Sequence, residues 1–91
     1  MIDHFKQRKR PESLEAKFTF VGYDPLRDFL DAIADDCEQL DHHPNISFGR
    51  DYASLMIYPI GEALGDTEFE LARRISQRYE QITAEQRIEN G

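Results

Sequence analysis

The sequence predicts an α+β domain in which a four-stranded antiparallel sheet carries both helices on one face. Three observations lead there. Residues 14–20 alternate apolar and polar, two later stretches space their apolar residues three and four apart, and a pair of strand-like runs flanks a glycine between them. Read in order, the elements are strand, strand, helix, strand, strand, helix.

Leu14, Ala16, Phe18 and Phe20 alternate with Glu15, Lys17 and Thr19, the period of a half-buried strand. Before it, His4 to Lys9 is a weaker strand candidate, with Pro11-Glu12-Ser13 as the turn. Asp24-Pro25 reads as a helix start, an Asp cap followed by a proline where a missing N–H costs nothing. Leu26, Phe29, Leu30, Ile33, Cys37 and Leu40 then form one apolar stripe. His42-His43-Pro44 ends the helix, because a residue before proline is pushed out of the helical region.

Ile46 to Phe48 and Tyr52 to Tyr58 form two more strands around a Gly49-Arg50-Asp51 turn. Pro59 and the stretch from Gly61 to Gly65 break the pattern. Asp66 or Thr67 caps a last helix, and Thr67 with Glu70 has the spacing of a capping box. Phe69, Ala72, Ile75, Tyr79 and Ile82 form its stripe, and the polar end from about Thr83 is expected to fray.

Ninety-one residues hold one core, so a single domain over 1–91 is expected, with 1–12 and 84–91 mobile or only partly ordered. Eleven basic residues against 18 acidic give a net charge of −7, which disfavours a nucleic-acid partner. The charge is uneven: Met1 to Arg10 is +3, which leaves −10 for the remainder. The lone cysteine excludes a disulfide scaffold and a cysteine-based zinc site, and suits the cytosol. No apolar run approaches the ~20 residues of a membrane span, and the charged opening is no signal peptide.

His42 and His43 are adjacent imidazoles at a helix end, able in principle to move protons to and from a substrate near neutral pH. Taken alone the pair is a weak signal, since an exposed polar helix terminus reads the same way. No third ligand stands at a familiar spacing, so no metal site is expected. Asp24, Asp28, Asp31, Asp35, Glu38 and Asp41 line much of the polar side of the first helix, opposed by Arg27. That face is either solvated or a docking surface for a basic partner. Cys37 falls on the apolar stripe and reads as core. No Ser/His/Asp constellation or P-loop is present.

The stretch Glu38-Gln39-Leu40-Asp41-His42-His43-Pro44 resembles the signature of the pterin-4a-carbinolamine dehydratases. Leu14, Phe18, Phe20 and Tyr23 fall on that family's strand pattern, and Leu64-x-x-x-Glu68-x-x-Leu71-Ala72-x-x-Ile75 looks like its last helix. The resemblance spans roughly Leu14 to Gln81. It implies the family's α+β fold, assembly into homodimers or homotetramers, and dehydration of 4a-hydroxytetrahydropterin without a metal or organic cofactor. Residues Glu38, Asp41, His42, His43 and Pro44 would then contact the pterin, with the two histidines shuttling protons.

The chain departs from that pattern. No histidine follows His43, so the family's third imidazole is replaced by Pro59 or Ile60. Glu68 stands where an aspartate is usual, and Ile46 and Arg50 occupy slots where an aromatic is expected. The chain also begins after the family's first helix and its tryptophan, with Phe5 as a stand-in. The resemblance therefore favours a scaffold with a weakened site, working as an assembly factor or chaperone by binding a protein through Asp24, Asp28, Asp31 and Asp35. Relatives of this kind are assembly factors for ribulose bisphosphate carboxylase, encoded beside α-carboxysome genes. The alternative is an active dehydratase in tetrahydrobiopterin recycling.

Overall fold

The computed structural model describes residues 4–9 and 12–90, with side chains through Ala84. Its elements are β1 (Lys6–Lys9), β2 (Glu12–Thr19), α1 (Tyr23–Leu40), β3 (Asn45–Phe48), β4 (Tyr52–Ile57) and α2 (Asp66–Asn90). The strands form one antiparallel sheet in the order β1-β2-β4-β3, which puts β1 and β3 on the two edges. Pro11, expected in the first turn, lies outside the described residues, and Glu12 and Ser13 already belong to β2.

The alternation in β2 does what a half-buried strand requires. Leu14, Ala16, Phe18 and Phe20 are buried, while Lys17 and Thr19 are exposed on the opposite face. The register pairs Leu14 with Ile57, Ala16 with Leu55 and Phe18 with Ala53, so one side of the two central strands is an unbroken apolar surface. Both helices sit on it, with Leu26, Phe29, Ile33 and Cys37 from α1 and Leu71, Ala72 and Ile75 from α2 buried. Phe18 is the centre of an aromatic cluster, its ring centroid 4.8 Å from Tyr79, 5.1 Å from Phe29 and 5.8 Å from Phe5. Phe5 is thus a core residue.

The helix starts differ from the sequence reading. The N-cap of α1 is Gly22, which offers no side-chain bond, and Asp24 lies inside the first turn. There its carboxylate faces the positive end of the helix dipole, and Pro25 lacks an N–H that would have had no intrahelical acceptor. At the other end Asp41 takes a left-handed conformation (φ 52°, ψ 46°), and its N–H donates to the Glu38 carbonyl at 3.2 Å. The capping box of α2 is Gly65 with Glu68, not Thr67 with Glu70. The Gly65 N–H donates to Glu68 Oε1 at 2.6 Å, and the Phe69 N–H donates to the Gly65 carbonyl at 3.2 Å. Glu70 turns instead to Arg73 and Arg74, whose Nε atoms stand 3.0 and 2.8 Å from its oxygens. These guanidiniums, Arg73 first and Arg74 second, hold the Glu70 carboxyl below the ordinary range. Past Thr83, whose hydroxyl donates to the Tyr79 carbonyl at 2.9 Å, the helix continues to Asn90.

The two helices are fastened by an ion pair that the stripe pattern does not announce. Asp36 is buried on the core side of α1, and Arg78 of α2 forks onto it at 3.1 and 3.3 Å. No helix among the described residues is long and apolar enough to cross a membrane.

Candidate functional site

The His-His-Pro turn follows the left-handed Asp41, and that turn separates the two imidazoles. The His42 N–H reaches back to the Cys37 carbonyl at 3.0 Å, which tucks the residue under the end of α1. Its side chain is 7% exposed, and Nε2 lies 2.9 Å from the Tyr58 carbonyl and 3.2 Å from Glu68 Oε2. Both neighbours are acceptors, so Nε2 carries the proton. Glu68 is buried as well and spends its other oxygen on the Gly65 N–H. His42 therefore joins the end of α1, the exit of β4 and the start of α2.

The loop between Tyr58 and α2 is anchored a second time, by a Glu12 carboxylate oxygen that accepts the Leu64 N–H. Glu12 and the buried role of Glu68 were not visible as site features in the sequence. Their signal is local in one case, since a Gly followed three residues later by Glu before an apolar run is a capping box. Glu12 reaches across 52 positions and leaves no local trace.

His43 faces the other way. It is exposed and lines a groove of about 540 Å³ between α1 and the edge strand β3. Leu30, Ile33, Ala34 and Cys37 form the α1 wall, Ile46 and Phe48 the β3 wall, and Glu38, His43 and Pro44 close one end. Of the five residues expected to contact a pterin, the groove thus gathers Glu38, His43 and Pro44. His42 is buried behind it, and Asp41 is exposed and serves as the helix cap. Pro59 is half-buried and Ile60 is 71% exposed, and neither lines the groove. At the groove a single imidazole is left to exchange a proton with a ligand.

Cys37 is buried, as its place on the stripe implies, and desolvation, aided by the neighbouring Asp36 charge, pushes its thiol pKa up. The four carboxylates Asp24, Asp28, Asp31 and Asp35 are all exposed along the outer face of α1. The described residues contain no cluster of three or more His, Cys, Asp or Glu side chains that could hold a metal ion.

A helix-backed four-stranded antiparallel sheet, with His-His-Pro at the end of the first helix and an acidic N3 residue on the second, defines a pterin-dehydratase type of scaffold. Neither a family model nor a curated protein sequence matches the chain. Solved structures do. A transcriptional coactivator/pterin dehydratase from Brucella melitensis superposes with a TM-score of 0.79 at 18% identity, over 86% of this chain and 84% of that one. A pterin dehydratase-like protein identified as a RuBisCO assembly factor in the alpha-carboxysome superposes with a TM-score of 0.75 at 30% identity, over 87% of this chain and 96% of that one. The first shows a shared fold; the second carries the relationship into sequence. The chain belongs to the pterin dehydratase-like family.

Proposed function

We propose that this protein is a protein-binding assembly factor or chaperone built on a pterin-dehydratase scaffold with an incomplete catalytic set. The observation that carries this reading is the division of the histidine pair. His42 is held inside by Glu68 and the Tyr58 carbonyl, His43 alone opens on the groove, and no third histidine follows. A positioned acid or base commonly contributes 10²–10⁴-fold, so a groove with one imidazole in place of three forgoes most of the acceleration a complete set would give. The candidate client is ribulose bisphosphate carboxylase, the protein that the 30%-identical relative helps assemble. The exposed carboxylates Asp24, Asp28, Asp31 and Asp35 are the surface offered to that client. Assembly into a homodimer or homotetramer, a cytoplasmic location and an association with carboxysomes belong to the same reading.

The second reading, an active 4a-hydroxytetrahydrobiopterin dehydratase, is favoured by the meeting of His43, Glu38 and Pro44 in one apolar groove. Carbinolamine dehydration, followed against the buffer rate, separates the two. The expected result is an acceleration far below that of an active dehydratase, together with capture of purified ribulose bisphosphate carboxylase. A rate matching active dehydratases, abolished by His43→Ala, overturns the proposal.

A further inference from the structure

We infer that the sheet face turned away from the helices binds a small hydroxylated phosphate ester, in a trough where Lys6 and Lys17 meet the hydroxyls of Ser47 and Ser54. This site lies across the sheet from the groove and goes beyond the protein-binding reading above.

The strand register builds the trough. β2 turns Leu14, Ala16 and Phe18 to the core, so Glu15, Lys17 and Thr19 face away from the helices, and pairing carries that side across the sheet. Lys17 pairs with Ser54, and Ser54 with Ser47. One ammonium and two hydroxyls thus stand in a rank over three strands, each about 4.8 Å from the next. In the neighbouring rank Lys6 pairs with Glu15, Glu15 with Met56 and Met56 with Asn45. The short serine side chains leave a hollow of about 480 Å³ that reaches across all four strands. Small-molecule sites occupy roughly 300–1,000 Å³, so the hollow has room for a body as well as a charged group.

Charge sets the class of occupant. Lys6 and Lys17 are diagonal neighbours across β1 and β2, about 7–8 Å apart, where like charges repel. Glu15 stands beside both, but Arg8 takes its carboxylate at 2.8 Å. Neither lysine pairs with a carboxylate among the described residues, and Lys17 Nζ lies 4.9 Å from the centroid of the Tyr52 ring. The carboxylates on the outer face of α1 lie beyond the helix layer, and a helix is about 10 Å thick. Salt screens exposed charges over ~8 Å, so that stripe leaves the trough cationic.

A phosphate monoester brings about −1.5 to −2 charges to one point near neutral pH, which suits two ammoniums gathered at one place. Ser47, Ser54 and Asn45 also line the trough and offer hydrogen bonds to a hydroxylated body. An extended acidic peptide fits less well, because the ladder already occupies the backbone groups of β2 and β4 and leaves its amides no partners there. Nucleic acid needs a longer basic track. Outside the trough this face continues with Arg8, held by Glu15, and with the uncharged Thr19 and Tyr52.

The test is an NMR titration of the full chain with glucose 6-phosphate in an amine buffer, with glucose, inorganic phosphate and hexaglutamate as comparison probes. Saturable shifts at Lys17, Ser47 and Ser54 are expected, with weaker binding of inorganic phosphate and none of glucose. Lys6→Ala and Lys17→Ala, both at exposed positions, should each weaken glucose 6-phosphate about ten-fold. Ser47→Ala, also exposed, should weaken it about five-fold at unchanged charge. Lys9→Ala removes the same charge from the helix side of β1, where Lys9 pairs with Glu12, and should leave binding unchanged. The inference is overturned by an absence of saturable shifts, by an equal loss in Lys9→Ala, or by inorganic phosphate binding as tightly as the ester. Shifts confined to Leu30 and Ala34 in the groove overturn it too. Tighter binding of hexaglutamate assigns the face to an acidic protein instead, and trough signals that move on dilution of the protein alone assign it to a second copy; either result defeats the phosphate site.

Discussion

His42 Nε2 stands 3.2 Å from Glu68 Oε2, with both side chains buried and the Tyr58 carbonyl 2.9 Å from the same nitrogen. The pair places the first residue of the motif in the load path of the fold, and the second outside it.

Truncating the two histidines should accordingly give opposite results. His42→Ala leaves Glu68 buried beside an empty space and is expected to cost about 3 kcal/mol. For a domain of this size that lowers Tm by on the order of 15 °C. His43→Ala, at an exposed position, should change stability by less than about 0.5 kcal/mol. Thermal unfolding followed by circular dichroism checks both. Equal Tm values would remove the structural role assigned to His42, and a loss of activity in His42→Ala reports folding before it reports chemistry.

The Asp36–Arg78 pair makes a second stability prediction. Arg78→Ala strands a buried carboxylate and should cost about 3 kcal/mol. Replacing both partners together, by Leu at 36 and Met at 78, should recover more than half of that loss, because the desolvated charge goes too. Urea denaturation of the two singles and the double gives the coupling.

Along the outer face of α1, stability and binding are expected to move in opposite directions. Asp24 with Asp28 and Asp31 with Asp35 stand at i,i+4 as like charges, and Asp28 with Asp31 at i,i+3, each contact costing a few tenths of a kcal/mol. Asp28→Asn should therefore raise Tm by about 1–2 °C at low salt and lose the gain at high salt. The same change should weaken capture of the proposed carboxylase client. A variant that gained stability and kept full capture would mark that face as merely solvated.

Cys37 provides a pH-dependent reading. Burial, with Asp36 adding to it, raises the thiol pKa in the folded chain. The unfolded chain thus releases its proton first as pH rises through about 8.5. This residue's contribution to stability falls from that pH upward and is absent as an effect below it. Alkylation by iodoacetamide at pH 8 should run at least about ten-fold slower in the folded protein than in guanidinium, and Cys37→Ala should flatten the alkaline limb of the stability curve.

The parts of the fold legible in the sequence are those written in periodicity. Leu14 to Phe20 and the stripe from Leu26 to Leu40 report their own burial, and the strands around Gly49 follow from β-rich runs. Caps were harder, because several residues compete for each role. Asp24 has the chemistry of a cap but lies within the first turn, and the Thr67 and Glu70 spacing is duplicated two residues earlier by Gly65 and Glu68. Asp36 could have been suspected, since it follows Ile33 by three and Phe29 by seven and so sits on the apolar stripe. Its partner Arg78 is 42 positions away and carries no local sign. The motif marks the candidate site, yet adjacency in the chain says nothing about direction. The left-handed turn at Asp41 is what sends His42 inward and His43 to the groove.

That turn has an evolutionary consequence. A lineage that abandons the chemistry is free to drift at position 43, where the side chain meets only groove and solvent, but is restrained at 42, where loss would loosen three elements at once. The first histidine of such a motif then records that the domain still folds, and the second, taken together with a later imidazole, records whether it still has a reaction to run. Members sorted by position 43 and by the presence of a later imidazole should separate by activity; sorted by position 42 they should not.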